Sequence, residues 1–138
     1  MKINRISRTI HYIVAIGASL GGVAALINPK APLGMSYENL HGIFDNFLIP
    51  GLFLLIVIGF GNFLAALTLK NNSILGNYLS LILGFIMVLW IIIQCLILKS
   101  IVILHIIFLI IGFIQLFLNL VILKREVLFP FNVLSDYF

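Results

Sequence analysis

Three side chains able to do chemistry stand close together in the first third of the chain: Glu38, His41 and Asp45, at spacings of three and four residues. If residues 36–46 are helical, with Ser36 as N-cap, all three share one face, because positions three or four apart are neighbours on an α-helix. Glu-x-x-His is also the spacing with which bundle helices bring a carboxylate oxygen and an imidazole nitrogen to one metal ion. A di-iron centre would need a second copy, and the chain has only four acidic residues. The plainer expectation is that the three form the wet face of an interfacial helix, with Tyr37, Leu40, Phe44 and Phe47 as its apolar face. No cofactor is expected, a metal at Glu38, His41 and Asp45 being the one exception that the residue types allow.

Elsewhere the polar side chains stand alone in apolar runs. Gln94 and His105 each lie about five residues from Lys99, so at about 1.5 Å per residue both sit roughly 7–9 Å below one end of adjacent helices. A polar group at that depth must be paired or face a wet cavity. Two readings follow: a hydrogen bond between Gln94 and His105 that pins a hairpin, or one outward-facing site on which Glu38, His41, Asp45, Gln94 and His105 converge, with Trp90 as its floor. Asn62, in the middle of a run, is expected to hydrogen-bond another helix; His11, near the start of the first run, is expected at the interface. No P-loop, dinucleotide-binding, zinc-protease or serine-hydrolase motif occurs.

The elements that must position these residues are set by composition. Hydrophobic residues make up 63 % of the 138 and charged residues 9 %, with a mean hydropathy of +1.28, against roughly 45–50 % apolar and about 25 % charged in soluble chains. A soluble domain of this length could not hide that much apolar surface, so the chain is read as an integral membrane protein. Its net charge of +4 does not point to nucleic acid, because the basic residues fall at the ends of apolar runs rather than on a solvated patch. Cys95, the single cysteine, lies within an apolar run and leaves no disulfide, redox pair or thiolate metal site.

Four runs approach the roughly 20 residues that a membrane-spanning helix needs: approximately 10–27, 47–69, 74–98 and 101–123. They are broken by Asn28, Pro29 and Pro32, by Asn71, Asn72 and Ser73, and by Lys99 and Ser100, the last a turn tight enough to force an antiparallel hairpin with Ser100 as cap. Lys2, Arg5, Arg8, Lys70, Lys124 and Arg125 fall on one side of the spans, and Lys30 and Lys99 on the other. The positive-inside rule then places both termini in the cytoplasm, the loop 28–46 outside and the tail 124–138 inside. The tail's Phe129, Phe131, Tyr137 and Phe138 suit the cytoplasmic interface. The first run could also be a cleavable signal peptide. Gly17 with Gly21, and Ala18 with Gly22 at the same small-residue spacing, matched by Gly61 and Ala65 in the second run, argue instead that it stays and packs closely against that run.

Residues 40–112 carry a further pattern: Phe44 and Asp45 ahead of Pro50-Gly51-Leu52, then Gly59 and Gly61 with Ala65 and Ala66, then Trp90 and Gln94, and Ser100 before a span with Gly112. This resembles a family of small four-helix bacterial integral membrane proteins to which no activity is attached. The resemblance implies the architecture and singles out Asp45, Pro50, Trp90 and Gln94; His105 stands where that pattern has Gln.

The expectation is an all-α fold, one membrane domain over residues 1–138: a four-transmembrane-helix bundle in a bacterial plasma membrane, with a short amphipathic helix in the first outer loop. For function it is a non-enzymatic binding or accessory protein whose outward-facing pocket holds a small ligand, a lipid or a partner helix. A small oligomeric channel or transporter using Asn62 at a subunit interface is the alternative, and a membrane-embedded metal-dependent enzyme the third reading. The expected partners are the lipid bilayer, a second copy of the chain or another membrane protein, and not nucleic acid.

Overall fold

The computed structural model describes residues 2–71 and 73–134; Asn72 of the second break and Tyr137 and Phe138 of the tail lie outside the described residues. Four long helices account for most of the chain: α1 (Lys2–Ile27), α2 (Leu48–Lys70), α3 (Ile74–Leu98) and α4 (Ile103–Arg125), followed by the single turn α5 (Phe131–Leu134). Each of the four is long and apolar enough to cross a membrane. Among the described residues there is no strand.

The helices run up and down in sequence order. Each packs on the next, α4 closes the ring against α1, and α1–α3 and α2–α4 form the diagonals. One end of the bundle therefore holds the start of α1 and the finish of α4 and is called the terminal end; the other holds the loop between α1 and α2 and the turn between α3 and α4, and is called the loop end. The surface is the inverse of a soluble protein's. Leu20 and Leu96 are 68 % and 70 % exposed, whereas Gln115 and Asn119 are 0 % exposed. Apolar residues outside and amides inside make sense only if the surrounding solvent is hydrocarbon.

Small residues set the α1–α2 spacing as expected of Gly22, but its partners on α2 are Gly51 and Leu55 rather than Gly61 and Ala65. A Cβ placed on Gly22 would lie 2.7 Å from Leu55 Cβ and 2.9 Å from the Gly51 carbonyl oxygen, and one on Gly51 would collide with Ala25 Cβ. Gly59 meets Ser19. Gly61 instead faces Leu83 of α3, Gly17 faces Phe108 of α4, and Gly21 faces Leu54. Between these contacts α2 widens into a π-helical stretch, Leu54–Phe60. The wider turn, with hydrogen bonds reaching one residue further than in an α-helix, lets consecutive residues Ile58 and Gly59 both be buried. Such π segments occur mostly as single turns inside α-helices and often lie at functional sites.

The connections also depart from expectation in detail. α1 starts at Lys2 rather than near residue 10, so Lys2, Arg5 and Arg8 are helical. Their long apolar stems can lie along the helix while the charges reach out. The outer-loop helix is reduced to two 3₁₀ turns, Pro32–Gly34 and Tyr37–Leu40. Ser36 does cap the second, accepting from the Glu38 N–H at 3.3 Å, but His41 and Gly42 adopt positive φ of 52° and 77° and end it there. Lys99, at φ 48°, ends α3 in a left-handed residue. Ser100 is not the cap of α4, which begins after Val102.

Candidate functional site

The loop between α1 and α2 folds over the loop end as a plug. Leu40, 2 % exposed, is buried with Ala25, Phe47 and Leu98, flanked by Met35, Phe44 and Ile97. Loop backbone bonds hold it down: the Phe47 N–H donates to the Pro29 carbonyl and the Tyr37 N–H to the Lys30 carbonyl, both at 2.8 Å. This arrangement reassigns the three chemical residues of the loop. With no helix beyond residue 40, Glu38, His41 and Asp45 do not share a helical face, and all three are exposed. His41 Nδ1 lies 3.1 Å from the Ile97 carbonyl oxygen, so the ring donates to one of the carbonyls left without a partner at the C-terminus of α3. Among the described residues no three His, Cys, Asp or Glu side chains come together to hold a metal.

Trp90, Gln94 and His105 are brought together, without Glu38, His41 or Asp45. All three line a cavity of about 490 Å³ in the loop-end half of the bundle, walled also by Ala18, Pro50, Gly51 and Met87. Exposed Leu33, Ile103 and Leu104 also line it, so its mouth lies between the α1–α2 loop and the start of α4. Trp90 is 8 % exposed and stacks on Phe53, ring centroids 4.2 Å apart. Its Nε1–H has no hydrogen-bond partner among the described residues. The expected bond between Gln94 and His105 is not formed. His105 Nδ1 instead accepts the Val102 N–H at 3.4 Å, reaching back to a backbone donor at the helix start, which leaves the ring hydrogen on Nε2. The cavity is thus an apolar chamber whose hydrogen-bonding lining residues are Trp90, Gln94 and His105. A larger crease of about 760 Å³ runs between α1 and α2, but among hydrogen-bonding side chains it offers only those of Tyr12 and Ser19 and opens onto the outer surface.

A second polar constellation lies in the other half of the bundle. His11 is not interfacial: it is 0 % exposed, as are Ser7, Asn62, Ser80, Gln115 and Asn119. Asn62 Nδ2 donates to the Ile58 carbonyl at 2.8 Å, which fixes its Oδ1 as the acceptor facing the bundle axis. That oxygen accepts from His11 Nδ1–H at 2.6 Å and from Gln115 Nε2 at 2.9 Å. One amide oxygen of α2 therefore ties α1 and α4 together, and His11 Nδ1 and Gln115 Nε2 themselves lie 3.0 Å apart. One turn nearer the terminal end, the Ser7 hydroxyl donates to Asn119 Oδ1 at 3.0 Å. The antiparallel register that sets Gly84 against Gln115 sets Ser80 against Asn119 in the same layer. Asn62, being wholly buried within one chain, does not line an interface between chains.

This seam is only partly satisfied. His11 Nε2, Gln115 Oε1, Asn119 Nδ2, Ser80 Oγ and Asn77 Oδ1 have no partner in the protein among the described residues. A buried polar atom left unpaired costs about 1–3 kcal/mol, so five would consume much of the roughly 5–15 kcal/mol that holds a domain folded. The seam ends abruptly. Val14, Ile58 and Met87, exposed by 0, 3 and 1 %, form an apolar layer beyond His11, and Ile58 and Met87 are at the same time the floor of the loop-end cavity.

The seam was hidden in plain spacing. Ser7 and His11 are four residues apart, as are Gln115 and Asn119, and Asn77 and Ser80 are three apart. Each pair lies on one helix face in an otherwise apolar run, which could have flagged an inward polar stripe. No family model, no curated protein and no solved structure matches the chain.

Proposed function

We propose that this is a non-enzymatic membrane binding protein whose loop-end cavity takes a lipid-like amphiphile, an apolar chain bearing a hydrogen-bond-accepting oxygen. The observation that carries the reading is the cavity itself: about 490 Å³ falls within the roughly 300–1,000 Å³ of small-molecule sites, which are mainly apolar with a few placed polar groups. The Trp90 and His105 N–H groups and the Gln94 amide suit an oxygen acceptor, and the remaining wall suits hydrocarbon. Pro50, Gly51, Trp90 and Gln94, four of the residues that carry the resemblance to small bacterial membrane proteins, line this one chamber; Asp45 does not.

The distribution of Lys and Arg supports an orientation with the terminal end cytoplasmic, and the resemblance to small bacterial membrane proteins suggests the bacterial plasma membrane, so that the cavity opens in the outer leaflet. Native mass spectrometry of the purified chain tests the assignment. One retained lipid per chain is expected, lost in Val102→Phe, which narrows the mouth, and weakened in Gln94→Leu. An empty wild-type chain, or lipid retained equally by both variants, would exclude the cavity as the site; co-purification of a stoichiometric protein in place of lipid would make the occupant a partner helix.

A further inference from the structure

The loop-end cavity leaves the polar seam unexplained. Helix packing alone needs only the contacts already made, His11 and Gln115 to Asn62 and to each other, and Ser7 to Asn119. The remaining atoms are a mixed set. His11 Nε2 and Gln115 Oε1 accept, Asn119 Nδ2 donates, and Ser80 Oγ does both. A cation would meet an amide donor and no carboxylate, and an anion would meet two bare acceptors. Water, with two donors and two acceptors, complements such a set, and buried water characteristically bridges groups that would otherwise be unsatisfied.

We propose that the seam is a hydrated half-channel, a binding site for a short file of water molecules running from the terminal end of the bundle to His11. Its length follows from α1, where Asn4, Ser7 and His11 are all buried on one face and span about 10 Å at about 1.5 Å per residue. Towards the terminal end the seam closes with Asn4 and Asn77, also buried at 6 % and 4 % exposed where the deeper seam residues are 0 %, and water would enter past these two. The blind end is the Val14, Ile58 and Met87 layer. On α2 this seal is a single turn thick, since Asn62 belongs to the seam and Ile58 to both the seal and the cavity floor. The seam thus brings water to within one helical turn of the loop-end cavity, and it does so whether or not that cavity holds lipid.

The test is water-edited solid-state NMR on the full-length, ¹⁵N-labelled chain in lipid bilayers, following polarisation from water to side-chain nitrogens. Build-up at His11, Gln115 and Asn119 is expected to be several-fold faster than at the backbone amides of Ile58 and Met87, and comparable with the exposed Asn39 side chain. Build-up at His11 and Gln115 no faster than at Met87 would overturn the proposal, leaving a dry packing network. The wild-type chain alone decides this, so the outcome does not depend on how a variant folds. In Asn119→Leu, which blocks the middle of the file, transfer to His11 is expected to slow while Asn39 is unchanged; equally fast transfer would mean that water reaches His11 by another route and that the seam is not its path.

Discussion

Replacing Asn62 by Leu removes the one oxygen on which three helices meet. Oδ1 accepts from His11 at 2.6 Å and from Gln115 at 2.9 Å, and interhelical hydrogen bonds in membrane proteins average about 0.6 kcal/mol with a maximum near 1.7. The two bonds therefore amount to about 1–3 kcal/mol. The substitution also leaves His11 and Gln115, both 0 % exposed, with only their mutual contact at 3.0 Å, adding a penalty of about 1–3 kcal/mol for a donor that this contact does not satisfy. A total loss of about 2–6 kcal/mol is expected, with any shift needed to seat a methyl where Oδ1 stood adding to it. Reversible unfolding in mixed micelles, followed by helical circular dichroism, measures it. Gln115→Leu supplies the second arm of a double-mutant cycle, in which residues sharing one acceptor should couple by more than about 0.5 kcal/mol. A loss below about 0.5 kcal/mol for Asn62→Leu, together with strictly additive effects, would refute the idea that this oxygen holds the bundle together.

Three further outcomes are expected. Gly22→Ala should destabilise by about 1–3 kcal/mol, the usual penalty of overpacking, because the new Cβ would meet Leu55 Cβ at 2.7 Å and the Gly51 oxygen at 2.9 Å; an unchanged unfolding midpoint would show that α1 and α2 can separate freely. Ser80→Ala tests hydration by the sign of its effect. A water-bonded hydroxyl is worth about 0.5–1.5 kcal/mol and its removal lowers stability, whereas removal of a dry, unpaired one raises it. The triple variant Glu38→Ala, His41→Ala and Asp45→Ala should fold with a loss of no more than about 1.5 kcal/mol, the three exposed sites contributing within about 0.5 kcal/mol each; loss of a bound metal in that variant would restore the outer-loop cluster as a site.

The four helices were legible because a membrane span advertises itself by length and hydropathy alone, and the end of α3 at Leu98 falls where Lys99 and Ser100 broke the run. The start of α1 was misjudged because Lys2, Arg5 and Arg8 interrupt hydropathy without interrupting a helix. Spacing correctly marked Ser36 as a cap, but carried the helix through His41 and Gly42, whose positive φ values turn the chain away. Trp90, Gln94 and His105 were legible as a group because depth below the Lys99 turn is a matter of counting. What they face was not, since it depends on where the outer loop settles. The seam was illegible for a related reason: Ser7, His11, Asn62, Gln115 and Asn119 meet only when the axial register of three helices is known, and apolar periodicity leaves that register undetermined. The π-helical stretch had no sequence signal beyond the glycines at 51, 59 and 61.

Trp90 is the chain's single tryptophan and lines the loop-end cavity, so its fluorescence reports directly on what fills that chamber. In vesicles whose acyl chains carry bromine, a quencher that acts at contact, an indole only 8 % exposed should be shielded from the surrounding bilayer. If the cavity holds a lipid chain, Trp90 will be strongly quenched, and Val102→Phe, by closing the mouth, will restore its emission. Full emission from the wild-type chain in brominated vesicles would contradict the proposed function.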